Sequence, residues 1–172
     1  MLKDKIQFSV VVPTYNPDFK IFETLKKIKK SLIYFQERSK ISYEILIIND
    51  GGKKIESEIL DLIPNSRIID LKKNRGVGYA REVGARIAKY EKIFFLDSDV
   101  IIENDAFYVL YNDFANLDDA GSLGALQSYK NLNPSYSSKF VCAKSCYGFE
   151  NKFEIIEVSA IHSECCIVDK FF

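Results

Sequence analysis

Two aspartates separated by one serine, Asp97-Ser98-Asp99, directly follow the apolar run Ile93-Phe94-Phe95-Leu96. Carboxylates projected from the end of a buried strand are hard oxygen donors that suit Mg²⁺ or Mn²⁺, with water and phosphate oxygens completing the shell. Taken alone the triplet is short, and a turn or a helix N-cap is its simpler account. A second segment, Asn74-Arg75-Gly76-Val77-Gly78, stands just before a helical pattern. Gly76 and Gly78 permit positive φ and close backbone approach, the N–H groups of the helix start attract anions, and Arg75 and Arg81 add positive charge. It is not a dinucleotide fingerprint: Arg81 stands in the register of the third glycine, and the segment follows the third strand, not the first.

Asp50 follows Ile45-Leu46-Ile47-Ile48. It can accept a hydrogen bond from a base N–H or a ribose hydroxyl, with Gly51 and Gly52 leaving room for a flat ring; an ordinary Asp-Gly turn is the alternative. Pro13, Thr14, Tyr15 and Asn16 close the first strand and frame the opposite wall of such a pocket. His162, the one histidine, is read as structural, and Asp118-Asp119 as solvent-facing.

These residues need a scaffold that gathers them. Strands are predicted at Phe8 to Val12, apolar apart from Ser9, and at Ile45 to Ile48, Arg67 to Leu71 and Ile93 to Leu96, short β-branched runs that need not alternate polar and apolar residues when helices cover both faces. Ile21, Leu25, Ile28, Leu32 and Phe35 recur at helical spacing, and further helices are expected over Lys54 to Leu62, from near Val77, and over Ala106 to Phe114. After Asp118 the pattern shifts to turn-rich sequence with short strand-like pieces: Leu123 to Gln127, Lys139 to Ala143, Phe153 to Val158 and Cys165 to Val168. The expectation is an α/β fold with a mostly parallel central sheet flanked by helices and a mixed, partly antiparallel C-terminal extension. In such open sheets ligands bind beyond the carboxyl ends of the strands, where all the polar loops above fall.

With 24 Lys+Arg against 24 Asp+Glu in 172 residues, the formal charge is zero, which argues against a nucleic-acid or anionic-membrane partner. The 47% hydrophobic and 28% charged content is that of a folded domain, and one domain is expected. There is no apolar stretch of membrane-span length and no signal-peptide pattern, so the expected location is cytoplasmic. The four cysteines, all in the last third, read as buried free thiols rather than as a disulfide framework. The aromatic ending Lys170-Phe171-Phe172 suggests truncation.

As an ordered set, Val10-Val11-Val12-Pro13-Thr14-Tyr15-Asn16, Ile47-Ile48-Asn49-Asp50-Gly51-Gly52, Asn74 to Ala85 and Phe94-Phe95-Leu96-Asp97-Ser98-Asp99 closely resemble the inverting family 2 glycosyltransferases of Rossmann-like GT-A fold. The resemblance implies a nucleotide-sugar-binding part over 1–118 and the incomplete start of an acceptor-side part over 119–172. Thr14, Tyr15 and Asn16 match the family's first nucleotide-binding loop and Asp50 its base-contacting acid. Arg81 matches the basic residue near the phosphates. Asp97 and Asp99 match the D-x-D pair that contacts ribose and holds Mn²⁺ or Mg²⁺ on the diphosphate. The implied donor is a nucleoside-diphosphate sugar, most readily a UDP-sugar, and the acceptor a saccharide or lipid-linked hydroxyl, which places the membrane surface within the family's range. Asn49, Gly52, Lys53 and Glu82 depart from the usual motif residues, and no residue matches the family's catalytic base. A nucleotide-sugar-binding module without turnover is therefore a competing reading. A Mg²⁺-dependent phosphohydrolase with Asp97 as nucleophile is a weaker one, since those enzymes carry their aspartates on the first strand.

Overall fold

The computed structural model describes residues 5–17, 19–117, 121–124 and 165–170. Strand β1 (Ile6–Thr14) leads into helix α1 (Lys20–Gln36), β2 (Ile41–Asn49), a 3₁₀ segment (Ser57–Leu62), β3 (Ser66–Asp70), α2 (Val77–Ile87), β4 (Lys92–Leu96) and α3 (Ala106–Ala115). Two further strands, β5 (Ser122–Gly124) and β6 (Cys165–Asp169), complete a six-stranded sheet of order β3-β2-β1-β4-β6-β5. β1 to β4 pair in parallel, whereas β6 runs antiparallel to both β4 and β5. The mostly parallel sheet with an antiparallel extension is the expected architecture; the strand-like pieces over 139–143 and 153–158, with Cys142, Cys146, Asp118, Asp119 and His162, lie outside the described residues.

Side-chain alternation divides each strand between two cores. Phe8, Val10, Val12, Ile45, Ile47, Phe94 and Leu96 pack with α1 and α3, while Val11, Leu46, Ile48 and Ile93 pack with Ala80 of α2. The first core is aromatic at its centre: Phe8 stacks on Phe35 at 5.5 Å and meets Phe94 edge-on at 5.1 Å, and such pairs contribute about 0.5–1.5 kcal/mol beyond their buried area. The second is thin because α2 lies close to the sheet; a Cβ at Gly84 would sit 2.3 Å from Val11 Cγ1.

Two elements differ from expectation for identifiable reasons. β1 runs through Pro13 to Thr14, because β4 pairs with β1 only as far as Val11. Pro13 therefore faces only β2, at Ile48, and the missing N–H leaves no gap between two ladders. The α-helix expected over Lys54 to Leu62 is a 3₁₀ segment beginning at Ser57, with i→i+3 bonds from Ile59 N–H to Glu56 O and from Ile63 N–H to Leu60 O. Six residues before Pro64 are too few for a stable α-helix, and Ile55, Ile59 and Ile63 are buried all the same.

Candidate functional site

The chain leaves β1 toward β2 and β3, then returns to lay β4 on the other side of β1. The two directions diverge between β1 and β4, and a crevice at such a switch point is where open α/β sheets bind ligands. A cleft of about 340 Å³ lies there, lined by Pro13, Thr14, Tyr15, Asn16, Asp50, Gly76, Asp97, Ser98 and Asp99. The ends of β1, β2 and β4 and the start of α2 thus meet in one hollow. Asn74 and Val77, from the glycine-rich segment, also line it, and Pro17, Lys20, Ile21 and Ala80 complete its wall without having been marked as site residues by the sequence. Lys20 and Ile21 carried no sequence signal, since the helical pattern of α1 accounts for both.

The β2–α2 side is held by a buried carboxylate. Asp50 is 3% exposed. Its Oδ1 accepts from the Arg75 N–H at 3.0 Å, and its Oδ2 from the Gly76 N–H at 2.7 Å and the Arg75 N–H at 3.2 Å. Asn74 Oδ1 also accepts from Gly76 N–H, and Gly76 takes φ +91° at the N-cap of α2. A carboxylate accepting from backbone donors is a strong hydrogen-bonding arrangement. It fixes the loop that opens α2, so that Gly76 and Gly78, which have no atom within 4 Å of a built Cβ, present bare backbone. Arg75 reaches Asp50 through its backbone; its guanidinium lies 3.7 Å over the Tyr79 ring centroid and is not among the cleft-lining groups.

Gly51 and Gly52 do not leave room for a flat ring. At Gly51, with φ +72°, a Cβ would fall 2.2 Å from the Lys73 carbonyl carbon, and at Gly52 it would fall 2.5 Å from the Asn16 nitrogen. Both glycines are filled by neighbouring backbone: they let three loops close on one another. Two asparagines lock that contact. Asn16, at φ 47°, accepts the Lys53 N–H at 2.8 Å. Buried Asn49 donates to Asp70 Oδ1 at 2.7 Å and to Lys53 O at 3.0 Å while accepting from Gly52 N–H at 3.2 Å. An aspartate at 49 could not make the two donations, which gives this departure from the family motif a structural role.

On the β4 side, Arg81 of α2 meets Asp97 Oδ1 at 2.5 Å, both side chains partly buried. Thr24 of α1 donates its hydroxyl to Ser98 O at 3.0 Å, and the Val100 N–H closes a turn on Asp97 O at 3.1 Å. The acidic loop is thereby pinned from both faces of the sheet, with Asp99 exposed at the mouth. Thr24 was missed from sequence because a threonine inside an amphipathic helix carries no signal of a partner 74 residues away. Thr14 is 5% exposed and its Oγ1 has no hydrogen-bond partner among the described residues. A buried hydroxyl at the wall of a polar cleft fits a polar ligand, since such groups are otherwise almost always satisfied.

Behind the site, Cys166 and Cys165 on β6 pair with Phe95 and Leu96. They are free and buried, as expected, and burial pushes their thiols up to about 12 for Cys165 and about 11 for Cys166. They are therefore inert at neutral pH. No group of three or more His, Cys, Asp and Glu able to hold a metal occurs among the described residues, nor does any helix long and apolar enough to cross a membrane.

Residues 9–169 match the family model described as Glycosyl transferase family 2. The uncharacterized glycosyltransferase YkcC of Bacillus subtilis (strain 168) is 37% identical over 99 residues, 55% of this chain and 29% of that protein. The crystal structure of S. aureus TarS 1-349 in complex with UDP-GlcNAc aligns at TM-score 0.55 and 25% identity, over 72% of this chain and 38% of that one. The mannosyltransferase PcManGT of Pyrobaculum calidifontis, solved with GDP-Man and Mn²⁺, aligns at TM-score 0.66 and 14% identity over 97% of this chain and 45% of that one, a likeness of fold. The chain thus spans less than half the length of each of these chains, 29%, 38% and 45%. Its motifs, its switch-point cleft and the family match over almost its whole length agree: the chain belongs to glycosyl transferase family 2.

Proposed function

We propose that this chain is the donor-binding portion of a glycosyltransferase that binds a nucleoside-diphosphate sugar, in the first instance a UDP-sugar, and passes the sugar with inversion to an acceptor hydroxyl. The observation that carries this reading is the joint placement of Asp50, Asp97, Asp99 and the glycine-opened start of α2 on one cleft. The structural likeness to TarS, solved with UDP-GlcNAc, supports the choice of donor class.

In this reading Pro13, Thr14, Tyr15 and Asn16 border the base, and the Thr14 hydroxyl gains a partner from it. Asp50 retains acceptor capacity for a base N–H beside the loop amides it already holds. Gly76 and the first N–H groups of α2 face the diphosphate, where a helix start favours anions, with Arg75 adding positive charge at the rim. Ser98 and Asp97 sit nearest the ribose. Arg81 keeps Asp97 oriented.

Asp97 and Asp99, two carboxylates without a third ligating group clustered beside them among the described residues, fit Mn²⁺ or Mg²⁺, which retains water and substrate oxygens in preference to an all-protein cage. Asp99 is the more exposed of the two, and Asp97 already neutralises Arg81, so Asp99 is the principal carboxylate for the ion. Bound there, the ion supplies charge neutralisation to the departing diphosphate. Deprotonation of the acceptor hydroxyl needs a carboxylate that none of these residues supplies, and the acceptor, a saccharide or a lipid-linked one, is set by surfaces beyond this cleft.

Calorimetric titration with UDP and GDP, with and without Mn²⁺, tests the reading. Metal-dependent UDP binding that is lost in Asp99→Ala is expected; binding indifferent to both metal and Asp99 defeats it. Release of UDP from a UDP-sugar in the presence of acceptor separates a transferase from a binding module.

A further inference from the structure

Helix α1 carries five lysines and one glutamate in 17 residues, within a chain of zero formal net charge. One stripe, including Ile21, Leu25, Ile28, Leu32 and Phe35, is buried against the sheet and α3. The outward face is not the plain solvated surface that such a helix normally presents. Phe19, the N-cap residue, is 73% exposed, Phe22 39% and Ile33 45%. With the exposed Lys26, Lys29 and Lys30 they recur at helical spacing, on an arc of about 100°. Lys26, Lys27, Lys29, Lys30 and Ile33 also border a single shallow depression of about 330 Å³, together with one acid, Glu23, which pairs with Lys26 at 2.8 Å and leaves the surface with a net positive charge.

We propose that this outer face of α1 docks the protein on a bilayer surface carrying anionic lipid headgroups. Phe19, Phe22 and Ile33 enter the interfacial layer, and the lysines lie among the headgroups, their alkyl stems along the apolar boundary. The pattern distinguishes this occupant from others. A second copy laid against the same face would bring lysines against lysines. A protein partner would meet a convex helix whose apolar side chains are interrupted by lysine, the residue depleted from the cores of protein interfaces. A fluid anionic surface needs no complementary shape and is attracted by each basic group within a Debye length. Lys20 and Ile21, at the same end of α1 as Phe19 and Phe22, line the cleft, so the docking face and the cleft share that end of the helix. The inference rests on α1 alone and stands or falls separately from the donor-binding reading.

Flotation of the protein with vesicles tests it, using phosphatidylcholine alone and an equal mixture with phosphatidylglycerol at low ionic strength. Binding to the anionic vesicles and little to the neutral ones is expected. The combined Lys26→Gln, Lys29→Gln and Lys30→Gln variant should bind at least about thirtyfold more weakly, roughly fivefold for each of Lys29 and Lys30 at about 1 kcal/mol, with Lys26 adding less because Glu23 already pairs with it. Phe22→Ser with Ile33→Ser should abolish the fraction that survives raised salt. These exposed substitutions leave the cores intact, and an unchanged far-UV spectrum and melting temperature will verify folding. Absence of wild-type binding to anionic vesicles overturns the proposal. So does undiminished binding of the lysine variant, or of the apolar variant at raised salt.

Discussion

Replacing Asp50 by alanine removes the acceptor for two backbone donors and isolates the role of that carboxylate. The structure gives it contacts at 2.7, 3.0 and 3.2 Å to the N–H groups of Gly76 and Arg75. Hydrogen bonds to a charged group contribute about 1.5–3 kcal/mol each. The lower figure applies here, because the exposed Arg75 N–H recovers water and the Gly76 N–H keeps Asn74 Oδ1 as an acceptor. The pair then represents about 3 kcal/mol of local ordering. Amide hydrogen exchange at Arg75 and Gly76, read by NMR, should accelerate about a hundredfold, at about 1.4 kcal/mol per tenfold. Exchange in the β1–β2 ladder should change far less, since the loop opens below the global unfolding free energy. UDP affinity, where binding uses the ordered loop, should fall by up to the same factor. If affinity collapses while the Arg75 and Gly76 amides stay as protected as in the wild type, Asp50 acts by direct contact and the loop-ordering argument fails.

Gly84→Ala places a methyl 2.3 Å from Val11 Cγ1 inside a closed helix–sheet contact; it should destabilise by about 1–3 kcal/mol in urea unfolding, with partial recovery in a Val11→Ala, Gly84→Ala double variant. Gly78→Ala meets nothing within 4 Å and lies within α2, so it should stabilise by about 0.5–1 kcal/mol, while weakening UDP binding if the diphosphate approaches that backbone. The thiols of Cys165 and Cys166, raised by burial to about 12 and about 11 from 9.0, keep their protons in the folded chain where the unfolded chain loses them. Their contribution is therefore full below pH ~9 and declines as pH rises, by up to about 1.4 kcal/mol per pH unit for each thiol. Urea midpoints at pH 8 and pH 10 should show this slope, and a Cys165→Ala, Cys166→Ala variant should lack it.

Much of the fold is legible along the chain because both faces of the first strands are covered. Their apolar runs are interrupted only by Ser9, and their ends are marked where polar residues begin: Thr14 after Val12-Pro13, Asn49-Asp50 after Ile48, Asp97 after Leu96. A terminus of a buried strand is where a carboxylate first reaches solvent, so the residues that line the cleft stand out before any coordinates are seen. The 3₁₀ segment at Ser57–Leu62 was not legible as such, because apolar residues four apart fit an α-helix and a tighter buried turn alike.

The relations across the cleft needed the tertiary structure. Gly51 and Gly52 read as open space but are occupied by the backbones of Lys73 and Asn16; Asp50 reads as a ligand contact but already holds the amides that open α2; Thr24 reads as a helix residue but anchors Ser98. A residue's own neighbours reveal whether it lies at a strand end or on a helix face, because backbone geometry repeats over two or about four residues. Which loop faces it is set by the placement of β1 between β2 and β4, and that order follows from how whole hydrophobic faces pack, a property of the chain as a whole.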